Sequence, residues 1–283
     1  MSRAAPAFDV RRIVVAIDGS PEAGDVLEAA ARLAARLQAE LEGVFVRDIN
    51  LVHLARLPVG REIQFLTGQG RDFTAEALEA DIRTREFTAR RALAAAAERV
   101  HVQYSFRTAQ GQVDVEYVTA ADAGDLLIVG SGSRSPWGTA RFTHTAREVA
   151  ERAPRSVLVS RPGTWFAAGV PLVCHDGGTG SWRALDAGLY FFGVHEGRLA
   201  VLILANDRGE AETLRAQVEA HLAARGVSPR FLYGVRPRAP EVCRLAGEAG
   251  AGVLVMAADC PALDAPRRRE VLESIACPVL IVR

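Results

Sequence analysis

The chain says nearly the same thing twice. Residues 13–20 read Ile-Val-Val-Ala-Ile-Asp-Gly-Ser, and residues 171–178 read Pro-Leu-Val-Cys-His-Asp-Gly-Gly. Residues 153–159 read Ala-Pro-Arg-Ser-Val-Leu-Val, and residues 276–282 read Ala-Cys-Pro-Val-Leu-Ile-Val. Each copy therefore opens on an apolar strand ending in Asp-Gly and closes on another apolar strand. A period this long marks a duplicated domain, because solenoid units run roughly 20–50 residues. The expected domains are 10–161 and 169–283, joined at Arg161-Pro-Gly-Thr164.

Within the first copy, Arg12–Ile17 is a continuous apolar run, the pattern of a strand buried on both faces of a parallel sheet. Ser20 suits an N-cap, Pro21 the first helical position, and Glu22 and Asp25 the positive helix end. Leu27, Ala30, Leu33, Ala34, Leu37 and Leu41 then recur at helical spacing. Further strands are expected at Leu41–Val46, His101–Arg107, Leu126–Val129 and Ser156–Ser160, with helices over 73–99, 112–121 and 145–153. The second copy repeats the order, with strands at Val170–Cys174, Leu199–Ala205, Arg230–Val235, Val253–Met256 and Val279–Val282. Helices fall between them. Alternating strands and helices imply parallel sheets with right-handed crossovers. The fold class is α/β: two doubly wound domains, each a five-stranded parallel sheet flanked by helices.

Aligning the copies shows what differs. Asp18 pairs with Asp176 at an offset of 158, Phe106 with Tyr233 and Gly130 with Ala257 at 127, and Val157 with Val279 at 122. The second copy is thus expected to lack 31 residues between its first and third strands and 5 more after its fourth. The first gap corresponds to Asp48–Arg85.

Composition narrows the chemistry. The formal net charge is zero, so no global field favours nucleic acid or an anionic membrane. All 34 basic residues are arginine, which removes Schiff-base, P-loop-lysine and lysine-base mechanisms. No apolar run approaches the ~18 residues of a membrane span, and no signal-peptide core follows Met1–Asp9. Cys174, Cys243, Cys260 and Cys277 lack metal-type spacing, and a reducing cytoplasm is the expected compartment.

In open α/β sheets, ligands bind outside the carboxyl ends of the strands where strand order reverses. Asp18, Val46 and Gly130 all stand at such ends. Asp18 can accept hydrogen bonds from a ribose or an amine, or serve only as a turn-former before Gly19. The loop Gly130-Ser-Gly-Ser-Arg-Ser-Pro-Trp-Gly138-Thr139 is rich in backbone donors and hydroxyls. Feeding a helix N-terminus, it can hold a phosphate or simply turn the chain.

These residues resemble the universal stress protein family. Ile17-Asp18-Gly19-Ser20 matches the family's end of strand one, and Ala153-Pro154-Arg155-Ser156-Val157-Leu158 matches its closing pattern. The resemblance extends over both copies and implies a tandem member. Its nucleotide-binding members wrap ATP phosphates with Gly, two residues, Gly, nine residues, then Gly and Ser or Thr. Here Gly130 matches the first glycine, Ser133 stands at the second, and Thr143-His144 replaces the final pair. A glycine beside a phosphate permits close approach and positive φ, which Ser133 resists; Gly132 substitutes if the register shifts. The resemblance therefore implies a degraded site for ATP or another adenine nucleotide in the first copy, at Asp18, Val46, Gly130, Gly132, Ser133, Thr143 and His144. No cofactor is assured. The second copy ends its fourth strand at Met256-Ala257-Ala258-Asp259 without a glycine loop, leaving Asp176 as a relic or a turn residue.

Other features are expected to be structural. Cys174-His175-Asp176 reads like a triad in print, but consecutive strand residues point to opposite faces. Cys277 fits the family's closing cysteine, buried and inert, and Cys260 is an exposed-thiol candidate. Arg267-Arg268-Arg269 reads as a solvated helix face, or as a patch for an anion or acidic partner. Asp48–Arg85 is too apolar for a solvated linker, and is expected over the first crevice, as a flap or as a partner surface. The last strands, Val157–Ser160 and Val279–Val282, are expected to pair the two copies internally. The expected function is non-enzymatic: a cytoplasmic stress-response protein acting by binding or signalling. It would have a possible homo-oligomer and an unidentified protein partner, but neither nucleic acid nor membrane. The alternatives are an ATP-binding switch or weak nucleotide hydrolase built on the first copy, and a scaffold in which both pockets are vestigial.

Overall fold

A computed structural model describes residues 10–20, 23–55, 61–63, 70–72, 75–131, 144–161, 163, 169–192 and 199–283. The first half runs β1 (Arg12–Ile17), α1 (Ala23–Leu37), β2 (Glu40–Asp48), α2 (Ile49–Ala55), β3 (Arg61–Ile63) and β4 (Gly70–Asp72). It continues with α3 (Ala75–Arg99), β5 (Tyr104–Gly111), α4 (Val113–Asp122), β6 (Leu126–Gly130), α5 (His144–Arg152) and β7 (Ser156–Ser160). The second half runs β8 (Val170–His175), α6 (Thr179–Phe192), β9 (Ala200–Ala205), α7 (Arg208–Ala223) and β10 (Arg230–Val235). Then come α8 (Ala239–Ala249), β11 (Ala251–Ala257), a 3-10 turn at Pro261–Leu263, α9 (Ala265–Ser274) and β12 (Val279–Val282).

Among the described residues, ten strands form one sheet in the order β10-β9-β8-β11-β12-β7-β6-β1-β2-β5. Each half is an all-parallel run in which the chain starts in the middle, walks to one edge, then returns to the other side. Strand order reverses between β1 and β6 in one half and between β8 and β11 in the other. Ile13, Val14, Val15 and Ile17 are fully buried, as are Leu172 and Val173, because helices cover both faces of a crossover-built parallel sheet.

The halves join through their last strands, and there alone in the large sheet the pairing is antiparallel: Val279 faces Val159, Leu280 faces Leu158 and Ile281 faces Val157. That reversal is the signature of a pseudo-twofold axis between equivalent edges. Arg283, just beyond β12, donates to the Ala150 and Glu151 carbonyls at 2.6 and 2.9 Å, satisfying acceptors at the end of α5. Arg269 of α9 grips Glu151 at 2.8 and 3.0 Å.

The register corrects one alignment. Phe45 faces both Ile17 and Thr108, while Ile203 faces both His175 and Tyr233. Thr108, not Phe106, is therefore the counterpart of Tyr233, an offset of 125 (233 minus 108). The second half is shorter by 33 residues between its first and third strands (158 minus 125) and longer by two before its fourth. The third strand of the first half also starts later and ends later than expected, at Tyr104–Gly111. Both edge strands carry a mixed exposure pattern, so no continuous apolar run fixes their ends. The other strands and helices fall close to their expected places.

Candidate functional site

The first half builds its crevice from a turn. β1 ends at Ile17, and the next residue's carboxylate folds back, Asp18 Oδ1 accepting from the Ser20 N–H at 2.9 Å. This turn within one side chain's reach puts Gly19 at φ 71°, where a Cβ would be strained. A Cβ there would also lie 2.6 Å from the Arg85 carbonyl oxygen, so α3 packs directly on the turn. Asp18 itself is exposed. Beneath it, the buried Tyr117 hydroxyl donates to the Ile17 carbonyl at 3.2 Å. Burial pushes the Tyr117 phenol well up, and the Asp18 charge adds to that.

The strand register brings the expected residues together. Ile17 faces Phe45 on β2, so the next step sets Asp18 beside Val46. Val15 faces Ile128 on β6, so two steps on Ile17 stands level with Gly130. Ser131 follows, fully buried, donating its N–H to the Ser160 carbonyl at 2.8 Å. Its Oγ has no partner among the described residues. Gly132, Ser133 and Thr143 lie outside the described residues. His144 opens α5 with an exposed ring, 3.8 Å from Glu148 one turn on, and its described contacts do not bring it to Asp18.

A polar brace behind the crevice carries no sequence signature. Glu86 of α3 accepts from Thr108 Oγ1 on β5 at 2.7 Å and from Arg47 on β2 at 2.7 and 3.1 Å. Burial alone would raise the Glu86 carboxyl, but the Thr108 and Arg47 bonds outweigh it and hold it below the usual range. Among its described residues, the segment expected over the crevice comprises α2, the paired strands β3 and β4 and the front of α3, and its last residue, Arg85, rests on the Asp18–Gly19 turn; the rest of the glycine loop lies outside the described residues.

The second half puts its equivalent aspartate to another use. Asp176 Oδ1 accepts from Ser181 Oγ and from the Gly178 N–H at 3.1 Å. Its Oδ2 accepts from Cys260 Sγ at 3.1 Å and from the Ala262 N–H at 3.3 Å. Burial would raise this carboxyl, but those four donors hold it below the ordinary aspartate value. Asp176 is thus neither relic nor simple turn residue: it latches the shortened 258–263 loop onto the end of β8. Asp259 in that loop reaches α6, where a Cβ on Gly180 would meet its carboxylate, and pairs with Arg183 at 3.0 Å.

Cys260 is accordingly buried, not an exposed thiol, and burial together with Asp176 pushes it up to about 12. Cys277 is partly buried, pushed up to about 11 mainly by burial. Cys174 and His175 are fully buried on β8 and do not converge with Asp176 into a triad. The three arginines 267–269 are no plain solvated face: Arg268 donates to the Ala258 and Leu263 carbonyls at 2.8 and 3.2 Å, and Arg269 bridges the halves. Among the described residues no group of three or more His, Cys, Asp or Glu could hold a metal ion, and no helix is long and apolar enough to cross a membrane.

The universal stress protein family model matches residues 9–161, more than half of the chain. The chain belongs to the universal stress protein family. A universal stress protein from Archaeoglobus fulgidus superposes over 98% of this chain and 99% of its own, with a TM-score of 0.75 at 15% identity. A putative universal stress protein from Pseudomonas aeruginosa does so over 96% and 93%, with a TM-score of 0.61 at 20% identity. A protein of unknown function from the same species covers 96% and 92%, with a TM-score of 0.60 at 18% identity. At these identities the likeness speaks for the fold alone. No protein of curated function matches the chain. Within this universal stress protein, the family match falls on the half whose aspartate is open, and the half with the latched aspartate lies outside it.

Proposed function

We propose that this universal stress protein is a non-enzymatic, cytoplasmic stress-response protein that acts by binding, with a weak adenine-nucleotide site in the first half and none in the second. The observation that carries this reading is the contrast between the two aspartates. Asp18 is exposed and its described bonding engages one oxygen, whereas both oxygens of Asp176 are taken by the protein's own donors. Val46 and Gly130 flank Asp18 in register, giving an adenine a wall and a phosphate an approach. No lysine is available, and no nucleophile–base pair converges on Asp18 among the described residues, so binding is favoured over hydrolysis.

Calorimetry with ATP and magnesium tests the reading. One site is expected, weaker than micromolar, that is above about −8 kcal/mol. Asp18→Asn should weaken it at least fivefold, and Asp176→Asn should leave it unchanged. Ser133→Gly should tighten it. Two sites, or turnover of ATP abolished by Asp18→Asn, would overturn the proposal.

A further inference from the structure

The second half holds a separate cleft at the carboxyl ends of β8, β9 and β10, about 450 Å³ in volume. Its rim carries Arg236, Arg267 and Glu210, and its walls include Leu204, Pro237 and Pro261. This is the size range of sites for small molecules. It stands open because β9 passes to α7 through Asn206 and Asp207 alone, where the first half inserts α2 and the β3–β4 hairpin.

The cleft's acidic groups are already committed. Asp176 takes four donors, as described above. Glu210 accepts from the Asn206 N–H at 2.6 Å while its own N–H donates to Asp207 at 2.9 Å, a reciprocal arrangement that starts α7. The basic groups are not. Arg267 makes only a long contact to the Ala262 carbonyl at 3.5 Å and one to Asp264 at 4.0 Å. The Arg236 side chain has no partner among the described residues.

Arg236 is also held in an unfavourable backbone shape. Its φ is 47°, left-handed for a residue with a Cβ, and its N–H is fixed to the Ala205 carbonyl at 2.8 Å. Such strain persists where the surroundings impose it, often at ligand sites. A glycine would adopt this shape freely, yet the position carries an arginine that lines the cleft and whose guanidinium has no partner among the described residues.

We propose that this cleft binds a small phosphate monoester, its phosphate held by Arg236 and Arg267 and its organic part against Leu204, Pro237 and Pro261. One guanidinium without a partner among the described residues and one held only by long contacts match a phosphate dianion, and each offers a planar fork of donors. The cleft is the second half's counterpart of the Asp18 crevice, with Asp176 and Leu204 where the first half has Asp18 and Val46, but it lies in the other half and does not depend on the reading given for the first.

Calorimetric titration of the full chain with glycerol phosphate and with inorganic phosphate tests the proposal. Saturable glycerol phosphate binding is expected, at least threefold tighter than inorganic phosphate because the apolar walls add contact. Arg236→Gln and Arg267→Gln should each weaken it tenfold or more, and Arg238→Gln, outside the cleft, should not. Arg236→Gly should lose binding equally while raising or keeping Tm, separating a ligand role from a packing role. Asp18→Asn should leave glycerol phosphate binding intact, so failure here and failure of the nucleotide site are told apart. Absence of saturable binding, binding indifferent to both arginine variants, or a preference for inorganic phosphate would overturn the inference.

Discussion

At the scale of single residues, the second half sets two acid-sensitive side chains next to each other with different pH windows. His175 is fully buried, its ring edge-on to Trp182 at 4.5 Å between centroids, and neither ring nitrogen has a hydrogen-bond partner among the described residues. Burial pushes its pKa down. The unfolded chain takes a proton near pH 6.5 that the folded chain refuses, so stability falls as the pH drops below about 6.5. Asp176 is depressed instead, so its stabilisation is whole above its unfolded value near 3.9 and is lost as the pH falls through the lower folded value. Thermal unfolding against pH should show both declines. His175→Phe should flatten the upper one and leave stability at pH 7 unchanged or higher, because an unpaired buried polar group is removed. Asp176→Asn should flatten the lower one and cost about 1–3 kcal/mol at pH 7. A profile in which neither substitution changes its own window would mean these groups do not set the acid response. None of this was legible beforehand. Cys260 and Asp176 lie 84 residues apart, and nothing local to either announces the bond between them.

Among the elements, the Asp-Gly turn was the part of the site that the sequence exposed most directly, since an aspartate before a glycine at a strand end has few other uses. What rests on the turn was expected only as a region. The apolar content of Asp48–Arg85 called for cover, but its division into a helix, a hairpin and the front of α3 leaves no clear periodicity to read. The Glu86–Arg47–Thr108 brace was invisible for the same reason as the Cys260 latch: its members sit on three elements. Gly19→Ala tests how tightly α3 seals the turn. The new methyl meets strained φ and a carbonyl 2.6 Å away, so a loss of about 2–4 kcal/mol is expected from strain and displacement together. Gly226→Ala is the matched control, with a φ of 72° and open space around its Cβ, and should cost only about 1–2 kcal/mol. Equal losses in chemical denaturation would show that α3 yields easily. Protease cleavage within α3 should rise in the Gly19 variant alone.

For the molecule as a whole, the repeat made the architecture readable because parallel strands buried on both faces must be continuous apolar runs, and each half supplies four of them beside one edge strand. The edges escaped for the complementary reason: β5 and β10 mix exposed and buried residues, and the two-residue slip in aligning them arose there. The joint at the centre follows from the same physics. β7 and β12 are buried along their whole lengths, yet each ends its own half and would otherwise present unpaired N–H and C=O groups. The pseudo-twofold joint gives each the other as a partner. A chain ending at Ser160 or Arg161 would lose that partner while keeping its own core, and the surface most complementary to its bare β7 edge is the β7 edge of another copy. The fragment 1–161 should therefore dimerise, with a Kd of order micromolar, about −8 kcal/mol. Sedimentation velocity over a dilution series measures this directly. Hydrogen exchange should then show the Val157–Val159 amides protected in the dimer and exposed on dilution. A fragment that stays monomeric and folded at high concentration would mean that the helical contacts and the Arg269–Glu151 and Arg283 bonds, rather than the strand edges, hold the halves together.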